Sequence, residues 1–156
     1  MRIVRLEISH FKSIRKVVLE DIENALILVG QNNTGKTTVL DAIRAVGGDY
    51  QIQQEDFDES GSNIEIEVEI AYQEEDFEQM QRSGRISRYR RMDAWMADFG
   101  RKLPSYRDGR LFFTFIANRD GKVRYDDGFH KNNRYIKDIF PKIYYVDAER
   151  NLGQFQ

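Results

Sequence analysis

The chain has 156 residues and a mass of 18.4 kDa, the size of one domain with room for a hydrophobic core. A formal net charge of −2 and a pI near 5.8 exclude bulk basicity as a route to nucleic acid, so any such contact has to be local. Cysteine is absent, which excludes disulfides, thiolate metal sites and cysteine nucleophiles, and neither a signal peptide nor an apolar run of roughly 20 residues is present, so a cytoplasmic protein with no membrane partner is expected.

Val4, Leu6 and Ile8 alternate with Arg5, Glu7 and Ser9, the period of a half-buried strand, and a second short strand fits Val17 to Leu19. "ALILV", residues 25–29, is apolar without alternation and ends at Gly30, which suits a strand covered on both faces. From Lys36 on, Val39, Leu40, Ile43 and Val46 fall at helical spacing, with Gly47-Gly48 as the stop. "NIEIEVEIAY", residues 63–72, predicts a strand with one acidic face, whose carboxylates repel one another unless something basic lies nearby. "EEDFEQMQR" and "ISRYRRMDAWMADFGRKL" predict two helices broken around Ser83-Gly84, the second with an apolar stripe of Ile86, Tyr89, Met92, Met96 and Phe99 and with Trp95 beside it. "LFFTFIA" and "KVRY" flank "NRDG" as a hairpin closed by Asp120-Gly121. "NNRYIKDIF" predicts a short helix ended by Pro141, and "KIYYVDAER" a last strand running into a polar loop.

Gly30-Gln31-Asn32-Asn33-Thr34-Gly35-Lys36-Thr37 fits G-x-x-x-x-G-K-[ST] residue for residue, between a predicted buried strand and an amphipathic helix. A loop with little Cβ bulk lets successive backbone N–H groups turn inward as an anion nest, and the helix that follows adds its positive end and its unpaired first-turn donors. In this pattern Lys36 reaches β- and γ-phosphates, the Thr37 hydroxyl ligates Mg²⁺ and Thr38 donates to the α-phosphate. ATP and Mg²⁺ are the expected ligands.

With "LEISHFKSI" ahead of it, the N-terminal third resembles the ATPase heads of the SMC and RecF type and, more narrowly, is similar to the ATP-dependent nucleases of the OLD family. The likeness rests on His10-Phe11-Lys12-Ser13 in place of an "N-F-K-S" turn and on the Gln31-Asn32-Asn33-Thr34 form of the loop, and it is close over the first 48 residues or so. It implies an α/β, P-loop NTPase fold of ABC/SMC-head type, partial, with a mixed sheet and an antiparallel β-subdomain plus inserted helices. Residues 1–48 would form the strand, loop and helix core, and 49–150 the β-subdomain with its helical insertion. It also implies a second head as partner in a homodimer, DNA as a possible further partner, and Lys12 and Arg15 near nucleotide or DNA. "IYYVDAERNL" resembles the place where such heads carry a catalytic loop, which makes Asp147, Glu149, Arg150 and Gln154 its weak candidates.

Members of this group complete their site with an "S-G-G" type loop from the opposite head and with four aliphatics followed by Asp-Glu, and neither occurs in these residues. The chain is therefore expected to be the N-terminal portion of a longer ATPase, binding nucleotide but hydrolysing little. The alternatives are a self-contained P-loop NTPase or kinase for a small substrate and an inert interaction module.

Charge is segregated along the chain. Residues 54–78 carry eleven acids and no Lys or Arg, and residues 82–110 carry nine Lys or Arg against three acids. Arg82, Arg85, Arg88, Arg90 and Arg91, with Tyr89 and Trp95, form either a phosphate-binding strip or a surface that balances the acidic strand. Asp56, Asp58 and Glu59 are clustered enough to raise the question of a metal, though such loops are usually only wet. His10 and His130 are too few and too scattered for zinc or a hydrolytic triad.

Overall fold

The computed structural model describes residues 1–20, Ile22 and residues 33–141, with the side chains of Asn33, Thr34 and Lys36 left out; the elements expected at 25–29 and 143–150 lie outside the described residues. Five strands form one sheet: β1 (Arg2–Phe11), β2 (Ile14–Glu20), β3 (Ile64–Ala71), β4 (Arg110–Ala117) and β5 (Val123–Asp126). Their spatial order is β2-β1-β3-β4-β5, every neighbouring pair antiparallel. The sheet thus runs across the division between residues 1–48 and 49–150, with β1 bonded directly to β3.

Period-2 alternation sets the register. Ile8, Ile66, Phe115 and Tyr125 form one cross-strand row, and Leu6, Val68 and Phe113 the next, all facing the core. The opposite face is wet, and there Glu7 stands directly across from Glu67. The two acids share a hydrogen bond that pushes the Glu67 carboxyl up and holds Glu7 down. Arg5 lies 3.5 Å from Glu7 and 3.6 Å from Glu67, Lys16 lies 3.6 Å from Glu7, and Arg110 lies 3.2 Å from Glu69. The acidic face of β3 is therefore balanced by its sheet neighbours, Arg5 of β1 and Arg110 of β4, not by the arginine run at 82–91.

Helix α1 (Asn33–Val46) lays Val39, Ala42, Ile43 and Val46 into the core, each of the larger side chains contributing roughly 1.5–3 kcal/mol of burial. Its C-terminus is fixed by the Tyr125 hydroxyl, which donates to the Val46 carbonyl and so joins helix to sheet edge. At the β4–β5 turn the Asn118 carbonyl accepts from Gly121 at 3.0 Å, and Gly121 takes the left-handed position (φ +88°), as the Asp120-Gly121 pair predicts.

Helices α2 (Glu74–Arg82) and α3 (Met92–Lys102) cover one end of the core with a cluster of Tyr72, Phe77, Trp95, Phe99 and Tyr106, ring centroids 5.2–6.4 Å apart. Here the sequence expectation needs correction. Residues 86–91 are not helical, Trp95 is central and fully buried, and Tyr89 is 47% exposed. Ile86 adopts φ +69°, and the Ser87 N–H closes onto the Arg85 carbonyl at 2.8 Å, a γ-turn no helix tolerates. The Arg85 carbonyl also accepts from Trp95 Nε1 (2.9 Å) and the Ile86 carbonyl from Lys102 Nζ (2.9 Å), so side chains of α3 take the acceptors a helix would have used. The short α4 (Tyr135–Ile139) ends before Pro141, as expected. No described helix is long and apolar enough to cross a membrane.

Candidate nucleotide site

The first helical turn of α1 falls inside the glycine motif. The helix starts at Asn33, three residues before the expected start near Lys36, so Asn33, Thr34 and Gly35 fall in the first turn, whose backbone N–H groups point toward the helix's N-terminal end. That turn carries no acidic residue, so nothing in it opposes an anion at the helix's positive end. Polyphosphate fits this terminus. Thr37 is exposed and Thr38 is buried, which separates the two hydroxyls expected to serve the metal and the α-phosphate. Gly30, Gln31 and Asn32 lie outside the described residues, as do Asp147, Glu149, Arg150 and Gln154.

The turn between β1 and β2 reaches the same helix farther along. Lys12 is the first residue of a two-residue turn, in the left-handed conformation (φ +54°) that glycine or asparagine usually occupies. The strained backbone is held from both ends: the Lys12 amide donates to the Asp56 carbonyl at 2.7 Å, and Nζ donates to Asp41 Oδ2 at 2.7 Å. Phe11 and Tyr50 offer ring faces to the ammonium at 5.4 and 5.0 Å. Burial disfavours its charge, but the hydrogen bond and charge of Asp41 outweigh that, and the amine is held above its ordinary value. Arg15, by contrast, sits exposed near the start of β2.

Sequence reasoning missed Asp41. It lies four residues after Thr37, on the same side of α1, and its carboxylate is shared by Lys12 and by Arg44 Nη1 (3.4 Å). The signal was available: an acid set within Val39-Leu40-Asp41-Ala42-Ile43 needs an internal partner. In this arrangement Lys12 braces the flank of α1, about one and a half turns below Lys36, instead of pointing at the phosphate end.

The other acids of this corner are also engaged. Asp56 is buried in a capping box around a 3₁₀ turn at Gln54–Asp56, accepting from the Gln53 amide at 2.7 Å and from the Tyr50 hydroxyl at 2.9 Å. Asp58 accepts from Ser60 and pairs with His10 Nδ1 at 2.8 Å, contacts that hold its carboxyl down to about 2. Ser60 approaches the same ring nitrogen, so the three residues do not form a relay, which needs serine and carboxylate on opposite nitrogens. Among the described residues, no group of three His, Cys, Asp or Glu could hold a metal ion.

No curated protein matches the chain closely enough to count as a relative. A family model described as an AAA ATPase domain matches residues 1–152, nearly the whole chain, and takes in the glycine motif, α1 and the sheet. The chain belongs to this family and is an ATP-binding domain of the P-loop ATPase class.

Proposed function

We propose that this domain is the ATP-binding N-terminal lobe of an OLD/RecF/SMC-like ATPase head, acting in the cytoplasm, in which ATP draws two heads together and the movement serves DNA processing or defence against foreign DNA. The observation that carries the reading is the coincidence of the Gly30–Thr37 motif with an acid-free helix start that is braced from the β1–β2 turn through Lys12 and Asp41.

In this reading the backbone N–H groups of Gly30, Gln31, Asn32, Asn33, Thr34 and Gly35 would meet the phosphates, Lys36 would add a point charge at the β,γ-oxygens, Thr37 would hold Mg²⁺ and Thr38 would meet the α-phosphate. Mg²⁺, which the Thr37 hydroxyl would hold, would supply positive charge against the polyphosphate. Lys12 holds the helix that presents these groups. The signature loop and the Asp-Glu strand that would complete hydrolysis are not in these 156 residues, so turnover by this chain alone is slow.

Calorimetry decides the first half of the reading: ATP·Mg²⁺ should bind the wild-type chain, and Lys36→Ala should lose that binding. Absence of heat with millimolar ATP on folded protein would refute it. Sedimentation with and without ATP addresses the second half, since a chain that remains monomeric in saturating ATP does not associate through its nucleotide.

A further inference from the structure

We propose that the loop from Gln81 to Arg90 is a contact for single-stranded nucleic acid, with the guanidiniums of Arg82, Arg88 and Arg90 taking backbone phosphates and the ring of Tyr89 taking an unstacked base. This deepens the DNA reading above and gives it a location, well away in sequence from the glycine motif.

Three observations converge on the loop. The first is charge without compensation. Arg82, Arg88 and Arg90 are exposed, and none makes an ion pair or a side-chain hydrogen bond among the described residues, whereas Arg91 is matched by Asp93 at 2.7 Å. The second is shape: the three arginines and Tyr89 line one open cleft of about 500 Å³ together with Gln81 and Ser83. Gly84, at φ +72°, is part of the lining, and the Arg88 side chain packs beside it, 3.6 Å from where a Cβ would be.

The third is that the loop is built and held. Its left-handed Ile86 is a costly conformation for a β-branched residue, and it persists because the surroundings over-determine it. Trp95 Nε1 holds the Arg85 carbonyl, Lys102 Nζ holds the Ile86 carbonyl, and the Ser87 hydroxyl donates to the buried carboxylate of Asp98, which Lys102 also pairs at 2.9 Å. Gln81 Nε2 donates to the carbonyls of Tyr89 and Arg90 at 3.1 and 2.7 Å. A loop fixed at five residues presents its side chains with little ordering cost on binding.

Neighbouring cationic ground lacks this combination. In the cleft of about 560 Å³ beside α4, Arg101 and Lys102 are both committed to Asp98, and Lys102 lies 4.9 Å over the Tyr135 ring. The cleft of about 710 Å³ next to Gly47 and Gly48 sets Asp49 and Asp138 against Arg85 and Lys137. Among the clefts described, the cleft at α4 has one uncompensated guanidinium, Arg134, beside Tyr135 and with Asp138 in the same lining, whereas the 81–90 cleft sets three beside an exposed ring. That pairing suits a strand whose bases are free to stack, since the bases of a duplex are not.

The test is fluorescence anisotropy of the whole chain with a labelled dT15 oligonucleotide, a 15-base-pair duplex and polyglutamate as competitor, across a salt series, with and without ATP·Mg²⁺. The expected result is dT15 binding whose affinity falls with salt at a log–log slope of about −2, from three phosphates. Tyr89→Ala should weaken dT15 binding about 5- to 100-fold and leave the slope unchanged. The triple variant R82Q/R88Q/R90Q should flatten the slope, and the triple lysine variant R82K/R88K/R90K should restore it. These side chains are exposed, so thermal melts should stay close to wild type.

Four results would each overturn the proposal: no dT15 binding at 50 mM salt in either nucleotide state, an unchanged slope in the glutamine variant, indifference to Tyr89→Ala, or equal competition by polyglutamate. Lys36→Ala separates this proposal from the nucleotide reading. It should abolish ATP binding yet spare dT15 binding without nucleotide, while R82Q/R88Q/R90Q should do the reverse.

Discussion

The corner beside α1 and the loop above α3 handle charge in opposite ways. In the first, Lys12 and Arg44 both meet Asp41, and His10 meets Asp58. In the second, the buried Asp98 is spent on Lys102, Arg101 and the Ser87 hydroxyl, groups that fix the backbone, while the arginines of the loop face water without carboxylates. Cations matched internally set a shape, and cations left unmatched on a fixed frame are free to meet a partner. Both regions hold a left-handed non-glycine residue, Lys12 in one and Ile86 in the other. The first is secured by Asp41 and the Asp56 carbonyl, the second by donors from Trp95 and Lys102, of which Trp95 is set in the aromatic cluster.

The contrast breaks most decisively at Trp95. Trp95→Ala removes a fully buried ring and the donor to the Arg85 carbonyl, and it should cost about 3–5 kcal/mol in urea unfolding followed by circular dichroism. Trp95→Phe, which keeps a ring but loses the N–H, should cost about 1 kcal/mol beyond the change in packing. If the alanine variant unfolds at the wild-type urea midpoint, aromatic packing does not support the loop.

A smaller effect belongs to the polar corner. Asp41→Asn leaves a half-buried ammonium without its carboxylate and should cost about 1–2 kcal/mol at pH 7. The folded-state value of Lys12 lies above its ordinary 10.5, so the contribution of the pair is complete below that pH and fades as pH rises through the folded value. Wild type and variant should therefore draw together in strong alkali, and a gap that never narrows as pH rises above 10.5 would assign the stabilisation to something other than Lys12.

The smallest expected change is at Asp58. Its carboxyl is held at about 2 against an ordinary 3.8, so its contribution is present above 3.8 and is lost as pH falls toward 2. Asp58→Asn should remove that acid limb from a melting-temperature profile and leave neutral pH nearly unchanged. An unaltered limb would mean that the His10 and Ser60 contacts do not form in solution.

Most of the strands were legible because each buries one face, so period-2 alternation had to be obeyed from Ile64 to Ile70 and from Leu6 to Ile8. The helix at Asn33–Val46 was legible for the same reason at its own period, although its start was placed three residues late, since nothing apolar marks the glycine-rich turn. The stretch Ile86–Arg91 was misread because its residues satisfy a helical stripe on paper. What defeats the helix is tertiary: Trp95 and Lys102 claim two backbone carbonyls from a distance of ten and sixteen residues. Within the candidate site, the residues expected to meet phosphate are named from spacing alone, whereas Asp41 could not be matched to Lys12 before the β1–β2 turn was seen to fold against α1.

The bond between the Tyr125 hydroxyl and the Val46 carbonyl gives α1 a pivot. Fourteen residues at 1.5 Å each make a rod of roughly 20 Å, pinned at the sheet edge by its C-terminal end. A tilt of about 5° around that pin would carry the far end through nearly 2 Å, and the Lys12–Asp41 bridge, set partway along the rod, is what resists it.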